Sequence, residues 1–463
     1  MHTTLERRGN SAAAGRKIDR GRKGIEPSRT PGAPLRTIDA VALIIGIVVG
    51  AGIFRTPSVV AANVSGEFWL LCLWGFGGIV SLTGALCYAE LCTAFPSRGG
   101  EYYFLKTAFG RGFSFLYAWS RITVIQTGSI AMLAYIAGDY MARLFPIGDF
   151  SAAIYATAVV VILTLVNVSG IHLGTALQKL LTALQFTGIA IIISVGLSLP
   201  SASLPISIPA AESTPEFSSI GLALLFVLLS FGGWNEAAYI SSELKSGSKS
   251  IVKVLVSAIL FITLLYLMIN MVFLKVLGLK VMAASDAVGV EMMKVTLGDK
   301  GVILIGMLVT LSALTSLNTT IFTGSRSSYA LGRDYNQLAF LGEWSGKRSA
   351  PVNALYLQGT VAVLLILFGA FTRSGFEAMV DFTAPVFWFF FMSIGLALIV
   401  LRHKRPDNSR PFSVPLYPVT PLLFIIVCGY LFYSSLSYTG NGALLGVALL
   451  LAGLLFYLTC SRK

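Results

Sequence analysis

The sequence predicts an all-α polytopic membrane protein, on three observations. Of its 463 residues, 55% are hydrophobic and only 12% are charged. Twelve apolar runs can be placed along the chain, each near the roughly 20 residues that a helix needs to cross a ~30 Å hydrocarbon core. Two of those runs, the first and the sixth, are interrupted at mid-depth by glycine clusters. The short alternating segments of an outer-membrane barrel are absent, so the spans are expected to be helical.

In chain order, residues 1–35 come first, rich in Arg, Gly, Ser and Pro with almost no large apolar side chains, and they read as a disordered basic tail. No short apolar region with a small-residue cleavage site precedes the first run, so no secretory leader is expected. Glu6, Asp19 and Glu26 argue against a transit peptide. Residues 36–200 hold runs one to five, residues 215–402 hold runs six to ten, and residues 403–463 hold the last two. If the tail is cytoplasmic, most of the 34 basic residues fall on that side, as the positive-inside rule requires. An even number of spans returns Arg462 and Lys463 to the same side, so both termini are expected in the cytoplasm of a cell (plasma or inner) membrane. The net charge of +13 is then mostly topology, and no nucleic-acid partner is expected.

Cys72, Cys87, Cys92, Cys428 and Cys460 lie in or beside predicted spans, which leaves none placed for an extracellular disulfide. His2, His172 and His403 fall in the tail or in loops, so no His/Cys metal cluster is expected within the membrane. No span offers a histidine to activate a Ser or Cys nucleophile, and no Walker A loop is present. An enzyme, a cofactor and direct ATP coupling are therefore not expected.

The first interruption reads "GIVVGAGIF", residues 46–54. Each glycine costs a helix roughly 0.8–1 kcal/mol relative to alanine. Gly46 and Gly50 form a GxxxG pair, which can serve close helix packing. The second interruption reads "LSFGGWNEAAYISSELK", residues 229–245, where Gly232 and Gly233 precede Asn235 and Glu236. Two interruptions at corresponding places in two halves point to a substrate site between inverted repeats. Hydrocarbon cannot satisfy free backbone groups, so unwound chain is tolerated only where protein, water or a ligand takes its hydrogen bonds. Unwinding at residues 50–52 starts a half-helix near Ile53 whose amides suit a carboxylate. The carbonyl ends of the half-helix before it, and of the one ending near Phe231, suit an ammonium. A zwitterion fits both.

At these residues the sequence resembles the amino acid-polyamine-organocation superfamily, in particular its L-type amino acid transporter-like branch. "GAGIF" is similar to that family's first-span G-S/A-G-I-F and "FGGWN" to its sixth-span Y/F-G-G-W-N. "YAELCTAFPSRGGEYYFLKTAFG" (residues 88–110), "SLNTTIFTGSRSSYALGRD" (316–334) and "LRHKRPDNSRPFSVPLYP" (401–418) follow in the family's order. The resemblance implies twelve transmembrane helices in a LeuT-type five-plus-five inverted repeat, with helices 1 and 6 broken and two helices appended. It also implies that Gly50, Ala51, Gly52 and Ile53 bind a substrate's carboxylate and amino group through backbone. Phe231, Gly232, Trp234 and Asn235 would line the other side, with Trp234 a pocket or gate wall.

Three positions depart from the branch. Where relatives carry a bulky aromatic gate, five residues before the tryptophan, this chain has Leu229. Where sodium-independent relatives place a fifth-span lysine against the first break, it has Gln185, with Lys179 the nearest lysine, so H+ and Na+ both stay open as coupling ions. The loop "FPIGDF" lacks the cysteine through which eukaryotic relatives bond an ancillary glycoprotein, so no disulfide-linked subunit is expected.

A charge at the bilayer centre costs at least ~2.5 kcal/mol and needs a reason. Glu236 has three readings: partner of a cationic substrate, carrier of a coupling proton, or paired carboxylate lining a solvated cavity. Arg121 is its counter-charge or a partner of Glu90. Arg55 can snorkel outward. Glu243 and Asp334, with Lys245 and Arg326, are expected to form inner closure pairs or helix caps, and Asp139 and Asp381 are expected to be structural. Ser312, Thr315 and Ser316 fall where LeuT-type folds place ion or substrate contacts; Leu229, Gln185, Glu236, Ser312 and Ser316 are the expected gating or coupling residues. The function expected is secondary transport of an L-amino acid by alternating access, by exchange or with protons. Transport of a polyamine or other organocation, and a non-transporting sensor on the same fold, remain as alternatives.

Overall fold

A computed structural model describes residues 36–50, 52–97, 99–198, 217–241, 244, 247, 249–285, 287–371, 375–438 and 440–460. Ala51, Glu243, Lys245, the tail and the last three residues lie outside them, as does the side chain of Asp381.

The first apolar run is two helices, α1 (Thr37–Val48) and α2 (Gly52–Ala62), meeting at an angle of 47°. After them come α3 (Glu67–Ala94), a short α4 (Glu101–Phe109), and α5 (Arg111–Ser120), which passes through one π-helical turn (Arg121–Ile125) into α6 (Gln126–Leu144). Two further helices follow, α7 (Ser151–Ser169) and α8 (Ile171–Ser198). The sixth run is again broken: α9 (Phe217–Ser230) gives way to a 3-10 turn (Trp234–Glu236) and a four-residue α10 (Ala237–Ile240), with a bend of 40°. The chain continues through α11 (Ser250–Ala284), α12 (Val288–Asp334), α13 (Val352–Ala370), α14 (Gly375–Lys404), α15 (Val419–Tyr438) and α16 (Gly440–Cys460). No β-strand occurs among the described residues.

Among the described residues nine helices are long and apolar enough to cross a membrane, and eleven if each bent pair counts as one span. The twelfth expected run falls on α16, whose apolar stretch in the described residues, Gly446–Thr459, is shorter. Leu264, Ile426 and Leu455 are about two-thirds exposed, the state of side chains that face lipid tails. Small residues let helices close on one another where the lipid supplies no hydrophobic drive. At the α6–α7 crossing, a Cβ on Gly138 would sit 2.2 Å from the Ala152 carbonyl oxygen.

The buried centre is built around the breaks. Helix α1 packs on α11 and α12, α2 packs on α9 and α11, and α12 crosses both α6 and α8. This arrangement brings the two interruptions, far apart in sequence, face to face.

Candidate functional site

At the first break Val49 and Gly50 leave helical geometry, and at the second Gly233 takes φ 110°, a conformation that a side chain would strain. Close approach matters as well: a Cβ on Gly50 would lie 2.9 Å from Ser316 Oγ, and one on Gly52 3.1 Å from Ser230 Oγ. The carbonyls freed by unwinding are held by side chains from three helices. Ser316 of α12 donates to the Ile47 carbonyl at 3.0 Å, and the Gln185 amide of α8 donates to that of Val49. The Tyr266 hydroxyl of α11 lies 2.9 Å from both the Val48 and the Ser230 carbonyl oxygens. A phenol carries one hydrogen, so it serves one of these carbonyls at a time and leaves the other free to accept.

A cavity of about 870 Å³ opens between the breaks, lined by Gly50, Gly52, Leu229, Gly232, Asn235, Glu236 and Ser316. One wall is apolar, with Ile125, Phe226, Phe387, Phe390 and Phe391. Towards its mouth the cavity passes Arg55, Asp139 and Arg143 and reaches residues 146–150, the loop before α7.

Its other end is closed by charge. The π-turn starts at Arg121 and directs the guanidinium between two carboxylates, with Nη1 3.0 Å from Glu101 and Nη2 2.9 Å from Glu236. Arg121 and Glu101 are 2% exposed and Glu236 6%. Glu101 also accepts hydrogen bonds from the hydroxyls of Tyr88 (α3), Tyr117 (α5) and Tyr239 (α10), and from the Asn235 amide at 3.2 Å. The Arg121 guanidinium lies 4.6 Å from the centre of the Tyr239 ring. Buried ions are tolerated only with such dense hydrogen bonding, because desolvation costs several kcal/mol per ion.

These pairs decide between the sequence readings. Arg121 is the counter-charge of Glu236; Glu90 is paired instead to Arg402, at 2.6 Å, and to Arg410, at 3.5 Å. Asp334 is held by Lys106 and Tyr102, at 2.6 and 2.5 Å, while Arg326 stacks on Phe322.

The cavity gathers Gly50, Gly52, Leu229, Gly232, Asn235, Glu236 and Ser316 of the expected site, but not Ile53, Phe231, Trp234, Gln185 or Ser312. Of the residues outside the lining, the two aromatic ones support groups beside the breaks. Phe231 packs edge-on against Tyr266, with ring centres 5.0 Å apart, and Trp234 does the same to Tyr88, also at 5.0 Å. Trp234 also packs on Phe391, a residue of the cavity wall, with ring centres 5.5 Å apart. Gln185 and Ser312 are fully buried, and Gln185 Oε1 and Ser312 Oγ have no hydrogen-bond partner among the described residues. Glu101 and Tyr266 were not singled out by the sequence. Glu101 follows the Gly99–Gly100 pair in a quoted motif, but an acidic residue in the first turn of a helix ordinarily reads as a solvated partner of the helix dipole.

Two bent helix pairs that meet around one shared cavity in an apolar helical bundle suit a membrane carrier. A family model described as amino acid permease matches residues 35–456. The chain is 30% identical over 431 residues to the b(0,+)-type amino acid transporter 1 of Mus musculus, covering 91% of this chain and 86% of that protein. It is 28% identical over 444 residues to the large neutral amino acids transporter small subunit 2 of Mus musculus, covering 91% and 79%. The chain belongs to the amino acid permease family. It is an integral membrane transporter of amino acids and not an enzyme.

Proposed function

We propose that the protein carries an L-amino acid across the cell membrane by alternating access, binding it between the two broken helices. The observation that carries this reading is the meeting of both breaks at one cavity, with helix-start amides on one side and carbonyl ends on the other. The substrate carboxylate sits on the backbone of residues 50–53, at the start of α2, where the first-turn amides have no partner within the helix. Its ammonium sits among the carbonyls of Val48 and Ser230, sharing them with Tyr266. Its side chain extends past Leu229 toward the α14 aromatics or toward Asn235 and Glu236.

The same reading takes the chain as twelve spans in a five-plus-five inverted repeat, residues 36–200 and 215–402, with 403–463 appended and both termini cytoplasmic. Its support is that a broken pair followed by long helices occurs twice, at α1/α2 and at α9/α10. The cavity mouth then faces outward. Coupling is by exchange or through protons, with Glu236 a pocket residue in the first case and a proton carrier in the second. Gln185 Oε1 and Ser312 Oγ, buried acceptors without partners beside the first break, favour Na+ as a second reading of the coupling ion. No disulfide-linked ancillary subunit is part of this proposal.

Radiolabelled amino acid uptake into liposomes holding the purified protein tests it, with vesicles preloaded or empty and with or without pH and Na+ gradients. Uptake that requires internal amino acid means exchange. Accumulation in empty vesicles under an inward proton gradient, abolished in Glu236→Gln, means proton coupling. Absence of amino acid flux in every condition overturns the proposal and favours an organic cation such as a polyamine, or a sensor.

A further inference from the structure

We propose that Glu101 is the latch of the transport cycle: it holds the cavity's deep end shut, and that end opens when Asn235 and Tyr239 part from its carboxylate. This rests on the alternating-access reading above.

Five donors converge on this one carboxylate, and they come from two kinds of element. Tyr88 stands on the long α3 and Tyr117 on α5, which continues through the π-turn into α6, and both pack into the body of the molecule. Asn235 and Tyr239 stand on the 3-10 turn and α10, a short segment hung from the left-handed Gly233. Arg121 extends the join to the same segment by holding Glu101 with one terminal nitrogen and Glu236 with the other. A carboxylate can fasten fixed elements to each other, as Glu90 fastens α3 to the end of α14. This one ties the body to the segment that a carrier must move.

The local backbone is built for that contact. Gly100, just before α4, takes φ 49°, and a Cβ there would lie 2.8 Å from the Tyr239 ring. Glycine thus lets the start of α4 press against α10 and sets Glu101 beneath the cavity floor. The cavity also supplies what opening requires: Glu101, Tyr117, Arg121, Asn235 and Glu236 all line it, so water entering from it can take over the hydrogen bonds that α10 gives up.

The structure contains its own reporter of the opening. Cys92, near the end of α3, is fully buried and hydrogen-bonded to Ser241, the residue after α10. Movement of Ser241 and α10 away from α3 would uncover one side of it.

The test is maleimide labelling of the full-length protein in liposomes, with modification of Cys92 read by peptide mass spectrometry and folding followed by thermal unfolding. In the wild type, Cys92 should label slowly and several-fold faster when amino acid is supplied. In Glu101→Gln it should label roughly tenfold faster or more, with or without amino acid, the shift expected when bonds to a charged acceptor are lost. Tyr239→Phe, which removes one donor and keeps the ring, should give a smaller rise. Wild-type labelling rates in a folded Glu101→Gln overturn the proposal. If Glu101→Gln fails to fold, Tyr239→Phe and Asn235→Ala decide, and unchanged labelling in both overturns it. Faster labelling in the variants of a protein that moves no amino acid would support the latch and sink the transport reading separately.

Discussion

Among the described residues, arginine meets a buried carboxylate at Glu90 and again at the cavity floor, with opposite bookkeeping. At the end of α3, Glu90 is one carboxylate held by two arginines, Arg402 and Arg410, and by the Val414 amide at 2.7 Å. These partners lie at the end of α14 and in the loop that follows, and none of the four residues lines the cavity. Arg402 is further fixed by stacking on Tyr417 at 3.8 Å. At the cavity floor the count is reversed, with Glu101 and Glu236 sharing the single guanidinium of Arg121. The first arrangement closes a loop onto a helix and has nothing to release. The second joins fixed helices to a short segment next to open space. Similar chemistry therefore serves fastening in one place and switching in the other, and what separates them is the length of the elements joined and their access to the cavity.

If that contrast holds, the largest effect on folding belongs to the clasp. Glu90→Ala removes the carboxylate shared by two partly exposed arginines, a loss of about 1.5–3 kcal/mol for hydrogen bonds to a charged group. The expected outcome is a steep fall in yield and melting temperature, with substrate affinity unchanged in whatever protein folds. At the floor the effect should fall on transport. Arg121→Met should abolish flux by leaving Glu101 and Glu236 without their shared cation, and the double variant Arg121→Met/Glu236→Gln should regain melting temperature but not flux. Equal loss of stability and flux at both sites would erase the distinction.

A smaller effect is expected at the breaks themselves. Tyr266→Phe removes the one hydroxyl that reaches both freed carbonyls. A lost neutral hydrogen bond is worth about 1 kcal/mol, or roughly fivefold in an equilibrium constant. Isothermal titration with the transported amino acid should therefore show affinity weakened about fivefold. Tighter binding would mean that Tyr266 competes with the substrate ammonium more than it positions the carbonyls.

The breaks were legible because glycine at mid-membrane depth violates helix propensity and leaves backbone that only a site can satisfy. The pairing of α1/α2 with α9/α10 followed from the same violation appearing twice. The floor was not legible. Glu101 meets Tyr239 across 138 residues and Arg121 meets Glu236 across 115, and no local pattern marks such a contact. Arg121 stood out as a charge within an apolar run, yet Glu90 was as good a partner on paper; the π-turn that turns Arg121 to the floor has no signature in "RITVI". The direction of Phe231 and Trp234 was equally hidden. A motif puts them at the break, but the turn from Phe231 through the 3-10 segment decides that they pack on Tyr266 and Tyr88.

The mildest test concerns Leu229, the aliphatic side chain that departs from the branch's aromatic gate and borders the cavity. Leucine is smaller than a tryptophan or phenylalanine there, and the facing wall already contains Phe387, Phe390 and Phe391. Adding an aromatic ring fills space that a bulky substrate side chain would use, while the backbone groups that hold carboxylate and ammonium are untouched. Leu229→Phe should therefore discriminate by size alone, lowering uptake of large apolar amino acids by a few-fold, about 1 kcal/mol for a tight contact, and sparing small ones. Competition of unlabelled amino acids of graded size against a small labelled substrate reads this directly. A uniform loss across sizes would place Leu229 in the gating movement instead of the side-chain pocket, and would move the boundary between fixed and moving parts one helix turn above the floor.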